Sequence, residues 1–170
     1  VPDIDLGSRI WNLADITDDE RVKAMQAKRL EKTGYSDFFA HHMQKIVCIS
    51  AAFRSSDSFR IWSIGDACSS EKELLERYFQ GIEKYEPVLV SWNGIGFDLP
   101  VIHYRSLLHS VIAPTYWEVG DEDRAFRYNN FINRFHWRHI DLMDVLSGFQ
   151  PRASAPLHEI SIMLGLPGKL

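Results

Sequence analysis

The sequence predicts an α/β fold in which a mixed sheet is flanked by helices. Three observations carry that expectation. Residues 45–53 and 59–64 are rich in β-branched and aromatic side chains and flank the turn Ser55-Ser56-Asp57-Ser58, the pattern of a hairpin. Residues 88–92 form a short apolar run that follows a helical pattern, as a strand covered on both faces does. Helical and extended patterns then alternate to the end of the chain, which is the order of a layered α/β domain.

Each element has its own local cause. Thr17-Asp18-Asp19-Glu20 is a capping box, with Glu20 three residues after the capping Thr17. A helix is expected from there to residue 32, with Gly34 as its stop. Ser70 and Glu73 repeat the pattern and open a helix to about residue 85, in which Leu74, Leu75, Tyr78, Phe79 and Ile82 recur at helical spacing. After the 88–92 strand a helix is expected over 99–111, with Pro100 tolerated in its first turn. Residues 118–128 are polar and charged and predict an exposed loop. Residues 139–142 predict a short strand running into a helix through Leu146, and a last helix spans 156–164 before Gly165.

Composition bounds the function. The 170 residues suffice for one domain with a real core, and a single domain over 1–170 is expected. With 45% hydrophobic and 25% charged residues the chain has the balance of a globular protein. No apolar run approaches the roughly 18 residues of a membrane span, and Val1-Pro2-Asp3-Ile4-Asp5 is not a signal-peptide pattern. Cys48 and Cys68 have no metal-ligand spacing and read as buried or half-buried thiols of a reducing compartment, with the cytoplasm as the expected location. A net charge of −4 excludes a broadly basic, nucleic-acid-wrapping surface but not an enzyme that holds phosphates through metal ions.

The chemistry centres on Asn93-Gly94-Ile95-Gly96-Phe97-Asp98. Here a strand gives way, through a turn with two glycines, to a helix that begins with a carboxylate. Asp98 fits two roles: the N-cap of that helix, or a site carboxylate. Asn93 offers an amide for a phosphate, a base edge or the turn itself. Phe97 is placed to stack on a base or to pack in the core.

The spacing Asn-x-x-x-Phe-Asp resembles the second exonuclease motif of the proofreading domains of family B DNA polymerases. Val1-Pro2-Asp3, the stretch from Ser91 to Pro100, Arg138 to Ser147, and Leu164 to Lys169 are together similar to the predicted PolB-like 3'-5' exonucleases, a branch of the DEDD group. The resemblance implies an RNase H-like fold and hydrolysis of phosphodiester bonds at single-stranded DNA ends, although the residues themselves do not distinguish DNA from RNA. It also implies Asp98 as a metal ligand and catalytic residue, and two Mg²⁺ or Mn²⁺ ions; Asn93 and Phe97, by the chemistry of their side chains, are the candidate substrate contacts. Such ions stabilise the attacking and leaving oxygens together and need several converging carboxylates. The family uses four, and Asp98 matches one. The Asp-x-Glu pair belongs just before Val1 and the Tyr-x-x-x-Asp motif beyond Lys169, so the domain is expected to be truncated at both ends. Residues 1–170 alone are then expected to bind divalent ions weakly and to be inactive.

His136, His139, Asp141 and Asp144 form a second candidate cluster. It would suit a small-molecule metallohydrolase, or it is surface histidines with Asp141 capping the helix that holds Leu142 and Leu146. His41 and His42 read as exposed, and Lys169 as a weak phosphate contact. A non-catalytic RNase H-like module that binds nucleic acid or protein is the remaining alternative.

Overall fold

The computed structural model describes residues 1–168, so the reading of Lys169 lies outside the described residues. Among these, seven α-helices and four β-strands alternate in a mixed α/β order. The chain forms two compact units: Val1–Leu75 with Pro100–Val111, and Glu76–Leu99 with the chain from Ile112 onward.

In the first unit, Asp3 caps α1 (Ile4–Trp11) by accepting the Leu6 N–H at 2.9 Å. This helix is not among the elements expected from the sequence pattern. Helix α2 (Asp18–Thr33) has the expected capping box: the Thr17 N–H donates to Glu20 at 2.9 Å, and Thr17 Oγ1 accepts the Glu20 N–H. It stops at Gly34, whose φ of 76° is the left-handed conformation glycine adopts freely. Met25, Phe39 and Met43 form the core here, with Leu6, Trp11 and Val22 packed against them.

Strands β1 (Ile49–Arg54) and β2 (Phe59–Ile64) pair antiparallel from Ile49↔Ile64 to Arg54↔Phe59, giving the expected hairpin. β1 begins later than residue 45 because the preceding backbone is bonded elsewhere: Lys45 N–H to the Val1 carbonyl at 2.7 Å, Ile46 N–H to Glu71 at 2.6 Å.

Glu71, the first residue of α3 (Glu71–Tyr85), is the acceptor at the centre of this unit. Arg105, in α4 (Asp98–His109), donates Nε to Glu71 Oε1 at 2.8 Å and Nη2 to Oε2 at 2.5 Å. Its Nη1 donates to Asp3 at 2.6 Å, and His109 Nε2 lies 2.8 Å from Glu71 Oε2. The Arg105 and Glu71 side chains are each 4% exposed. A planar guanidinium fork suits this arrangement, since it satisfies both carboxylates in fixed geometry. Burial alone would raise the Glu71 pKa, but Arg105, His109 and the Ile46 N–H outweigh it and hold the carboxyl below its usual range.

In the second unit, Phe79 and Ile82 of α3 are buried. Phe79 meets Tyr116 of α5 (Pro114–Trp117) edge-on at 5.2 Å, and Tyr116 stacks on Phe131 at 5.7 Å. The Arg138 guanidinium lies 3.7 Å from the Phe126 ring centre. Strands β3 (Leu89–Ser91) and β4 (His139–Asp141) pair in parallel, with Leu89 opposite His139 and Ser91 opposite Asp141. Helices α6 (Leu142–Leu146) and α7 (Leu157–Met163) follow.

Three expectations are corrected. The strands form two separate pairs, not one mixed sheet, among the described residues. β3 is not covered on both faces: Leu89 and Ser91 are half-buried, but Val88 and Val90 are exposed, Val90 by 60%. A three-residue strand with one described neighbour alternates, as a sheet covered on a single face does. Cys48 and Cys68 are both exposed, because Cys48 precedes β1 and Cys68 lies in the turn after β2.

Arg105→Ala leaves two carboxylates with their shared cation removed, and is expected to destabilise the protein by about 3–5 kcal/mol. Arg105→Lys recovers only part, because an ammonium group cannot reproduce the fork. Urea denaturation checks this; a loss under about 1 kcal/mol for the alanine variant would refute the central role of Arg105.

Candidate functional site

The parallel register sets the site. It places Asp141, the last residue of β4, beside Ser91, the last residue of β3, just where the chain leaves β3 for the glycine turn. Asp141 is 3% exposed, and its carboxylate faces that turn. Oδ1 accepts the Asn93 N–H at 2.8 Å and the Met143 N–H at 3.2 Å, and Oδ2 accepts the Ile95 N–H at 3.0 Å. One carboxylate thus caps α6, as expected, and also binds the motif loop, which was not anticipated. Hydrogen bonds from backbone N–H groups to a carboxylate are among the stronger kind.

The loop geometry explains its residues. Asn93 has a φ of 59°, which asparagine tolerates better than most residues. The Phe97 N–H donates to the Asn93 carbonyl at 3.0 Å, and the Leu99 N–H to the Gly94 carbonyl at 2.8 Å, so the turn feeds directly into α4. A Cβ on Gly94 would fall on the Ser91 hydroxymethyl group, and one on Gly96 would fall on the Asn93 amide oxygen. Both glycines are therefore close-approach positions.

Asp98 is the first residue of α4 and is exposed, while Asn93 and Phe97 are half-buried. The negative charge of Asp98 reaches the Tyr78 phenol, which is kept protonated chiefly by burial and further by Tyr116 and Asp98. Beneath the loop, Ser91 Oγ and His139 Nε2 are 2.8 Å apart. His139 is 3% exposed, and burial pushes its pKa down, against the opposing pull of Asp141 and Asp144. The imidazole is thus held neutral. Neither Ser91 nor His139 stood out in the sequence as part of this loop's support; their pairing depends on a contact between residues 48 apart.

The second cluster does not converge. His136 Nδ1 accepts the Asn130 N–H at 3.0 Å, His139 meets Ser91, Asp141 holds the loop, and Asp144 takes Arg134 Nε at 2.7 Å and Nη2 at 2.8 Å. Among the described residues no three His, Cys, Asp or Glu side chains are grouped as a metal site. The structure thus gives these four residues structural partners. His42 is exposed, and His41 is half-buried.

Comparison with known proteins bears on this loop. The sequence profile described as predicted 3'-5' exonuclease related to the exonuclease domain of PolB matches residues 36–170. DNA polymerase 1 of Sulfurisphaera ohwakuensis is 43% identical over 44 residues, 26% of this chain and 5% of that protein. DNA polymerase 1 of Sulfolobus acidocaldarius is 36% identical over 59 residues, 35% of this chain and 6% of that protein. The chain thus spans a small fraction of the curated relatives it matches. No solved structure matches.

Two predictions follow from the loop's support. Asp141→Ala strands three backbone donors and is expected to destabilise by about 3 kcal/mol, with Asp141→Asn intermediate because one oxygen remains. A loss within 0.5 kcal/mol of zero in urea titration would refute the clamp. His139 has a folded pKa below its ordinary 6.5. Its contribution to stability is therefore complete above that value and is lost as pH falls through it toward the folded pKa. His139→Gln is expected to flatten the decline in melting temperature between pH 7 and 5, and an unchanged slope would count against the buried neutral imidazole.

Proposed function

The chain belongs to the family of predicted 3'-5' exonucleases related to the exonuclease domain of PolB, and from that premise we propose that it contributes to a metal-dependent 3'-5' exonuclease acting on single-stranded DNA ends. The reading takes 1–170 as part of an RNase H-like domain. The observation that carries it is the clamped Asn93–Asp98 loop, which presents an exposed carboxylate at the start of a helix in the family's motif. Asp98 is the proposed catalytic carboxylate and metal ligand, and Asn93 and Phe97 are the proposed substrate contacts.

The ions proposed are two Mg²⁺ or Mn²⁺, which would neutralise charge on the phosphodiester as it is cleaved. Asp98 is a hard oxygen donor of the right kind. Asp141 is not assigned as a second donor here: it is 3% exposed and its oxygens accept three backbone N–H groups. The described residues by themselves therefore do not make up a two-ion centre, and the remaining ligands are proposed to come from outside them in the intact protein. What this chain's own residues do is mechanical: Asp141 fixes the loop, Gly94 and Gly96 allow its close approach, and α4 fixes the direction of Asp98. A second reading, a nucleic-acid-binding module without catalysis, draws on that same single-carboxylate arrangement.

The test is trimming of a 3'-labelled single strand by the intact protein with Mg²⁺ or Mn²⁺. Asp98→Ala is expected to lower the rate on the order of a hundredfold or more while leaving the fold intact. Undiminished trimming by that variant would overturn the assignment of Asp98. Strand binding without trimming by the wild-type protein would favour the second reading.

A further inference from the structure

Residues 124–139 contain four arginines and no aspartate or glutamate, in a chain whose net charge is −4. Arginines and aromatics interleave along this segment, and several of its rings are left in the open: Tyr128 is 80% exposed, Phe135 and Trp137 each 65%. An apolar ring that reaches solvent beside a guanidinium is not explained by core packing.

The most organised part of the segment is built around Arg134. Its guanidinium is held in both directions by Asp144, with Nε and Nη2 on the two carboxylate oxygens at 2.7 and 2.8 Å. So anchored, it lies 6.0 Å from the Phe135 ring centre and 5.8 Å from that of Phe149. The two rings are 5.1 Å apart and tilted by 57°. Phe149 has a φ of 60°, a genuine outlier for a bulky residue, and its N–H is bonded to the Asp144 carbonyl at 2.7 Å. That bond and the Gly148 N–H bond to the Val145 carbonyl close the end of α6, and the turn sets the half-buried Phe149 ring against Phe135 and Arg134.

This cluster is tied to the motif loop. Asp144 stands three residues after Asp141, within one turn of the start of α6, and Asp141 binds the Asn93 and Ile95 N–H groups. The Arg134 cluster and the loop are therefore positioned by the same helix.

We propose that Phe135, Phe149 and Arg134 form a stacking site for an unpaired nucleobase of a single-stranded nucleic acid. Every base has a π-face, so stacking on aromatic rings and guanidinium planes takes single strands without sequence preference. Arg134 is paired with Asp144 and Arg138 with Glu86, so the positive charge that the segment offers a polyanion comes from Arg124 and Arg127, the latter with its guanidinium 5.7 Å from the exposed Tyr128 ring centre. The proposal deepens the exonuclease reading by assigning a place for the strand, and it rests on that reading for the direction of the strand toward Asp98.

Binding and trimming are measured separately. The intact protein in an Asp98→Ala background is titrated by fluorescence anisotropy with oligo(dT), oligo(U) and an abasic oligonucleotide of equal length. Phe135→Leu is expected to weaken oligo(dT) and oligo(U) binding by about tenfold or more and to leave the abasic strand within twofold. Phe135→Trp restores binding, and circular dichroism confirms that both variants are folded. The ratio of the dT and U losses tells DNA from RNA as the strand held. Equal binding of oligo(dT) by Phe135→Leu and its parent, or equal losses on base-bearing and abasic strands, overturns the stacking site. If Phe135→Leu loses base-dependent binding while Asp98→Ala trims like wild type, the stacking site stands and the catalytic reading falls.

Discussion

The Asp141 carboxylate is the constraint on which the rest of the second unit depends. It is nearly inaccessible to solvent and accepts three backbone N–H groups, two from the loop after β3 and one from the first turn of α6. A buried carboxylate must be satisfied, and a tight glycine turn leaves donors that need an acceptor. Each solves the other's problem. The parallel pairing of two three-residue strands is what brings them together, and the Ser91–His139 contact supports the same junction from below.

The first unit obeys a parallel logic with a different pair. Arg105 is almost wholly buried and would be costly without partners, yet its fork finds Glu71 and Asp3, and Glu71 in turn satisfies the Ile46 N–H. The residues come from positions 3, 46, 71, 105 and 109, so one ionic cluster ties the start of the chain to the starts and ends of distant helices. Replacing such a cluster with apolar groups is often no worse for stability, so its value lies as much in fixing one arrangement as in energy.

The site and its surroundings divide labour. Asp98 is exposed where chemistry is proposed, whereas Asp141 and His139 are buried where rigidity is needed. The two aspartates of this region differ in their surroundings and not their type: the Asp141 oxygens already accept three backbone N–H groups in a buried setting, whereas Asp98 is exposed. The exposed side chains of Val88, just before β3, and Val90, within it, mark where the strand expected from the apolar run 88–92 and the described structure part.

The sequence by itself determined the local elements. The Thr17 capping box, the Gly34 stop, the Ser55–Ser58 hairpin turn and the helix opened by Ser70 depend on side chains within a few residues of each other, and they stand where the pattern puts them. The Asn93–Asp98 motif was equally legible, because its glycines and spacing are local. Tertiary structure decided what needs contacts between residues far apart in the chain. That Asp141 clamps residues 93 and 95, that Asp144 anchors Arg134 against two phenylalanines, and that Arg105 joins Asp3 to Glu71 are facts of three-dimensional register. An aspartate before a helix looks the same in sequence whether it only caps that helix or also holds a loop from another strand, because the second set of donors comes from 46 to 48 residues away.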